Sequence, residues 1–148
     1  MTSLPRVLVV EDDAAIRNML TVALGREPLV VDGAPDGVGA LEQLAAETYA
    51  VIVVDLMMPR LDGYGFLEAF RHLELPQRPI VFVMTAYDDA ALLKLDATIV
   101  HGSFKKPFDL EHVVTLVRDA AHALHGSAQR PSIAADATPP DGVARDAC

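Results

Sequence analysis

From Arg6 onward, short runs of β-branched and aliphatic residues alternate with stretches in which apolar side chains recur at helical spacing. The runs predict β-strands at Arg6–Val10, Leu29–Asp32, Val51–Val54, Ile80–Met84 and Ile99–Phe104. The stretches between them predict helices. Ile16, Leu20, Ala23 and Leu24 mark the first, with Asp13 placed to cap it. Val38, Leu41 and Ala45 mark the second, and Phe66, Leu67 and Phe70 the third. A shorter pattern runs from Asp88 to Asp96. Leu110, Val113, Val114, Val117 and Ala121 line one face of the last helix, with Asp109 as its cap. Alternating strands and helices predict an α/β domain, a parallel sheet covered by helices on both faces. The pattern stops near His125. After Gly126 the chain turns to Ser, Ala, Pro and Asp without apolar periodicity, and Pro131 and the Pro139-Pro140 pair oppose a helix. The expected organisation is one domain over residues 1–125 and a disordered tail over 126–148.

Five βα units have the size of a flavodoxin-like doubly wound domain, whose ligand sites lie beyond the C-terminal ends of the strands. The residues at those ends are the chemically informative ones. Strand one runs into Glu11-Asp12-Asp13, strand three into Asp55, strand four into Thr85-Ala86, and strand five into Lys105-Lys106-Pro107-Phe108. A parallel sheet brings these ends to one edge. Carboxylates crowded there repel, and one takes up a proton unless a cation sits among them. An oxygen-only donor set without His or Cys suits a hard ion, Mg²⁺ before others. A carboxylate beside Mg²⁺, a hydroxyl and an ammonium is what phosphoryl transfer onto an aspartate requires.

Composition narrows the classes. A chain of 148 residues suits one domain. A formal net charge of -9 disfavours a protein that grips the phosphate backbone of nucleic acid. The single cysteine, Cys148, excludes an internal disulfide framework and a thiolate metal site. The five histidines show no metal spacing; His122 and His125 are expected near the end of the last helix, complementing its dipole. No apolar run reaches the ~18 residues of a membrane helix, and a strand entered by Arg6 leaves no room for a signal peptide. A cytoplasmic protein is expected. Flavin binding is disfavoured because Glu11–Asp13 would repel a phosphate where a Ser/Thr/Gly-rich loop is needed. An aspartyl-nucleophile hydrolase would usually carry a second carboxylate two residues after Asp55, where Met57 stands.

Four segments together resemble the response-regulator receiver domain of two-component signalling, over roughly residues 5 to 125. They are VVEDD at Val9–Asp13, DLMMPRLDG at Asp55–Gly63, MTA at Met84–Ala86 and KPF at Lys106–Phe108. The resemblance implies a (βα)5 fold with strand order 2-1-3-4-5. It implies that Asp55 is the phosphoacceptor and that Asp12, Asp55 and the backbone carbonyl of Met57 ligate Mg²⁺. Glu11 would hold the metal through water, Thr85 would contact the phosphoryl group, and Lys106 would pair with Asp55 and later with the phosphate. A cis Lys106–Pro107 peptide is implied too, as are Met57 and Tyr87 as the residues that tune attack by water on the phosphoaspartate. Such a domain is no enzyme beyond its own phosphorylation and dephosphorylation. Its partners would be a sensor histidine kinase or phosphotransfer protein and a downstream protein, with no direct contact to nucleic acid or membrane. A stand-alone, single-domain receiver is the leading expectation. A phosphorelay intermediate and a phosphorylation-independent interaction module are the alternatives, although the latter usually loses an acid or the lysine. The chain departs from the family at Ser103, where an aromatic residue usually precedes the lysine by three positions, and at Ile99-Val100-His101-Gly102, where Gly-Ala usually leads into strand five. Coupling to the output face is therefore expected to run through Thr85 and Ala86–Asp89, with Phe104 repacking.

Overall fold

The computed structural model describes residues 4–56, 63–85 and 97–129, with 125–129 as backbone alone. Its elements in chain order are β1 (Arg6–Val10), α1 (Ala14–Gly25), β2 (Val30–Ala34), α2 (Gly37–Ala46), β3 (Val51–Asp55), α3 (Gly63–Arg71), β4 (Ile80–Thr85), β5 (Val100–Lys105) and α4 (Leu110–Gln129). All strand pairs are parallel, in the order β2-β1-β3-β4-β5. This is the doubly wound fold expected from the alternating pattern. The fourth helical pattern, Asp88 to Asp96, lies outside the described residues.

Strand alternation divides the core in two. Leu8, Val10, Ile52, Val54, Val81 and Val83 point to one face, where Leu44 of α2 and Phe66 and Phe70 of α3 cover them. Val7, Val9, Val51, Val53, Phe82 and Met84 point to the other, beneath Leu20 and Leu24 of α1 and Val113, Val117 and Ala121 of α4. Because the central strands are covered on both faces, every residue of Val51–Asp55 is buried.

Strand ends differ from expectation in one consistent way. Hydrogen bonding carries β3 to Asp55, β4 to Thr85 and β5 to Lys105, each past the last apolar side chain, since the ladder depends on backbone groups and not on hydrophobicity. Strand β2 occupies Val30–Ala34 and not Leu29–Asp32, because Val9 and Val10 pair with Gly33 and Ala34. Helix α2 matches its expected face only in part: Leu41 packs against the core, but the buried positions are Gly37, Ala40 and Leu44, and Ala45 is exposed. Small residues let that helix approach the sheet closely, and a search for large apolar side chains passes over them.

The last helix continues through Gly126 to Gln129, so the expected boundary at 125/126 falls inside α4. A single glycine costs a helix only about 1 kcal/mol, too little to end a helix whose apolar face is buried. His122 consequently sits well before the final turn, which holds no basic residue, and does not complement the dipole as expected. Residues 130–148 lie outside the description.

The departure ahead of β5 has a structural counterpart. Val81 pairs with Val100 and Phe82 with Gly102, leaving His101 as an extra residue, a β-bulge. The Val81 amide donates to His101 Nδ1 at 3.1 Å. Gly102 makes room for the Phe82 ring, since a Cβ there would lie 2.9 Å from Phe82 Cδ1.

Candidate functional site

The C-terminal edge of the sheet is assembled from β1, β3, β4 and β5. Glu11 follows β1 directly and extends its ladder, its amide donating to Ala34 O at 3.0 Å. Asp12 is exposed at the rim of the edge. Asp13 caps α1, its carboxylate accepting from the amides of Ala15 at 2.9 Å and Ile16 at 3.1 Å. It acts as the helix cap and not as part of the acidic cluster. Asp55 closes β3 and Thr85 closes β4, both buried. Lys106 follows β5; its amide donates to Thr85 O at 2.8 Å, and the Lys106–Pro107 peptide is cis, as the motif led one to expect. Lys105 is exposed.

These placements converge. Lys106 Nζ donates to Glu11 Oε1 at 2.9 Å and to Asp55 Oδ2 at 3.1 Å. Glu11, Asp12 and Asp55 each present a carboxylate oxygen, all within 4.8 Å of one another. Glu11 is only 1 % exposed. Burial pushes its carboxyl from the ordinary 4.5 up to about 7; Lys106 and the Asp13 amide oppose the rise, and Asp55 adds to it. Burial pulls the Lys106 ammonium down, but its bonds to Glu11 and Asp55 outweigh that, and its pKa is raised. Three clustered carboxylates facing one ammonium leave an excess of negative charge, and the donors are all oxygen. That set fits a hard divalent cation such as Mg²⁺.

Asp55 is also held from behind. Leu56 N donates to Met84 O, and Gly63 N donates to Leu56 O, both at 3.0 Å. A Cβ on Gly63 would lie 2.4 Å from Leu56 Cα and 2.6 Å from Asp55 O, so only glycine lets α3 start this close to the end of β3. Of the residues implied at the site, Glu11, Asp12, Asp55 and Lys106 are brought together, and Thr85 ends the strand beside Asp55. Met57, with its carbonyl, and Tyr87 lie outside the described residues. Sequence reasoning passed over Arg17, whose Nη1 donates to Glu11 O at 2.8 Å. An arginine one turn into an amphipathic helix carries no signal that it reaches back to a backbone carbonyl.

A family model described as the response regulator receiver domain matches residues 7–118. The chain belongs to the response regulator receiver domain family. The response regulator MprA of Mycobacterium ulcerans is 39% identical over 120 residues, covering 76% of this chain and 48% of that protein. The MprA of Mycobacterium avium is 38% identical, with 49% of that protein covered. The chain thus spans about half the length of these regulators. The receiver domain of a Francisella response regulator has a TM-score of 0.70 at 27% identity, covering 84% of this chain and 99% of the other. The Thermotoga maritima response regulator TrrA shares the fold, with a TM-score of 0.69 at 24% identity and coverage of 79% and 99%. The receiver is a signalling domain of two-component systems. No helix among its described residues is long and apolar enough to cross a membrane.

Proposed function

We propose that this receiver accepts a phosphoryl group from a sensor histidine kinase or phosphotransfer protein on Asp55, with Mg²⁺, and signals by altered protein contacts. The observation that carries the reading is the bridge from Lys106 to both Glu11 and Asp55, with Asp12 in the same cluster. Asp12, Asp55 and the Met57 carbonyl would hold the metal, and Glu11 would hold it through water. Bound there, Mg²⁺ supplies positive charge that offsets the oxygens of the incoming phosphoryl group. TrrA, a relative in fold, is described in complex with Mg²⁺ and BeF, which supports the choice of ion.

The chain's own residues account for the rest. The Asp55 carboxylate attacks phosphorus, forming the acyl phosphate as the bond to the donor breaks and the donor keeps the electron pair. Lys106, already at Asp55 Oδ2, stays beside the oxygens that gain charge. The Thr85 hydroxyl donates to the phosphoryl group and draws the end of β4 toward it. The sheet beneath excludes water from the buried side of Asp55. The site makes and breaks only its own phosphoryl bond, so the chain is no enzyme in the usual sense.

Output is proposed to pass to a protein, the chain acting as a stand-alone receiver in the cytoplasm. A net charge of -9 gives it no basic character for nucleic acid. Ser103 is exposed and Phe104 is buried against Phe82, 5.5 Å between ring centroids. Coupling therefore runs through Thr85 and Ala86–Asp89, with Phe104 repacking. Amide spectra with and without beryllofluoride and Mg²⁺ test this. Shifts centred on Asp55, Thr85–Asp89 and Val100–Phe104 are expected. No shift at Asp55 would overturn the phosphoacceptor reading, and movement confined to α1 or α2 would overturn the output path.

A further inference from the structure

Each polar group of Glu11 has a partner from a different part of the fold. Its amide donates to Ala34 O of β2, Oε1 accepts from Lys106, and Oε2 accepts from the Asp13 amide at 3.1 Å. The carbonyl accepts from Arg17 Nη1 at 2.8 Å. Ladder, turn and salt bridge account for the first three. The fourth requires a long side chain on α1 to double back over the sheet edge.

Gly33 supplies its route. A Cβ on Gly33 would lie 3.2 Å from Arg17 Cδ, 3.3 Å from Arg17 Cγ and 3.5 Å from Thr21 Cγ2, so the aliphatic stem of Arg17 lies across the bare backbone of β2. Gly33 is on an edge strand and exposed. Strands favour β-branched residues there, and a glycine within one often marks a close approach. Here the approaching group is Arg17.

We propose that Arg17 is a positioning residue for the cation site: braced across Gly33, its guanidinium fixes the Glu11–Asp12 peptide so that both carboxylates face Asp55. The inference rests on the reading that this cluster holds Mg²⁺. Removing Arg17 has two effects of opposite sign. Loss of a positive charge near three carboxylates would by itself tighten a cation. Loss of the brace lets the β1–α1 turn move and scatters the ligands, which weakens it. Outer partners of metal ligands are typically worth about 10–100-fold in affinity; a single carbonyl contact belongs at the low end, and weakening of about tenfold is expected.

The test is Mg²⁺ titration of the full ¹⁵N-labelled chain, following the Glu11, Asp12 and Leu56 amides, alongside thermal unfolding in metal-free buffer. Arg17→Met should weaken Mg²⁺ about tenfold. Arg17→Lys, which keeps charge and a donor, should recover part of that loss. Gly33→Val keeps the arginine and suits a strand, yet should displace the stem and weaken Mg²⁺ in the same direction. The double variant should bind no more weakly than Arg17→Met alone. Should Arg17→Met not fold, Gly33→Val and Arg17→Lys decide the question. Unchanged or tighter Mg²⁺ binding in Arg17→Met or in Gly33→Val, or additive losses in the double variant, would overturn the role of Arg17. A wild-type chain whose cluster amides ignore Mg²⁺ would overturn the metal reading itself, and the inference with it.

Discussion

Raising the pH in metal-free buffer removes a proton from Glu11, a carboxyl that is 1 % exposed between Lys106 and Asp55. In the unfolded chain that proton leaves near 4.5; in the folded chain burial holds it to about 7. Between those values the folded state binds more protons than the unfolded one, so stability falls as pH rises. The contribution is fully present below 4.5 and lost as pH passes about 7. At about 1.4 kcal/mol per pH unit, the loss attributable to Glu11 is on the order of 3 kcal/mol. That is on the order of 10 °C in melting temperature for a domain of this size. Glu11→Gln isolates the effect, because the amide is as neutral as the protonated acid and nearly its shape. Thermal unfolding from pH 4.5 to 8 should give similar midpoints for wild type and variant at the acid end, with the wild type falling below the variant toward pH 8. Mg²⁺ takes the ionised cluster, so its stabilisation of the wild type should grow over the same window, by at most about tenfold in affinity per unit. Wild-type and Glu11→Gln curves that run parallel, or a wild type that gains on the variant with rising pH, would refute the reasoning.

Gly63→Ala should destabilise the domain by about 1–3 kcal/mol, the usual cost of overpacking, because the new Cβ meets the backbone of Leu56 and Asp55; urea unfolding gives the stability, and phosphodonor labelling should fall with it. Tyr49→Phe removes the hydroxyl that donates to Asp32 Oδ2 at 2.7 Å beside Arg6. A bond to a carboxylate still partly in water suggests a loss of about 1–2 kcal/mol, measured the same way, with phosphorylation unchanged. The phosphoaspartate should persist for minutes or longer, since neither Met57 nor Tyr87 holds a hydrolytic water as a carboxylate or amide would; a time course of phosphoryl loss checks this, and decay within seconds contradicts it.

Side-chain chemistry at strand ends was legible where an acid or hydroxyl terminates an apolar run: Glu11, Asp55 and Thr85 stand out against Val, Ile and Met. Strand β5 reads VHGSFK, and Lys106 was told from Lys105 only by the KPF motif. Two helix caps were legible as acids placed just before an amphipathic pattern: Asp13 accepts from the first amides of α1 and Asp109 from the Glu111 amide. Asp36, which caps α2 by accepting from the Gly39 amide, was passed over. Features made by small residues or backbone groups were hidden. Gly37 and Ala40, and not Val38 and Ala45, set the inward face of α2. The bulge at His101 depends on register between β4 and β5, which hydrophobic pattern does not encode. Arg17 could not be read because its partner is a carbonyl, common to every residue, reached only because Gly33 is bare.

Labelling by a small phosphodonor reports on phosphorylation of Asp55 without a kinase. The full chain and Asp55→Asn are each incubated with acetyl phosphate, with Mg²⁺ or with a chelator, and the phosphoryl group is followed by intact mass and mapped after digestion. One hydroxylamine-labile phosphoryl group is expected on the wild-type chain, located at Asp55, dependent on Mg²⁺ and absent from Asp55→Asn. Undiminished labelling of Asp55→Asn, or labelling that persists in chelator, would contradict that expectation.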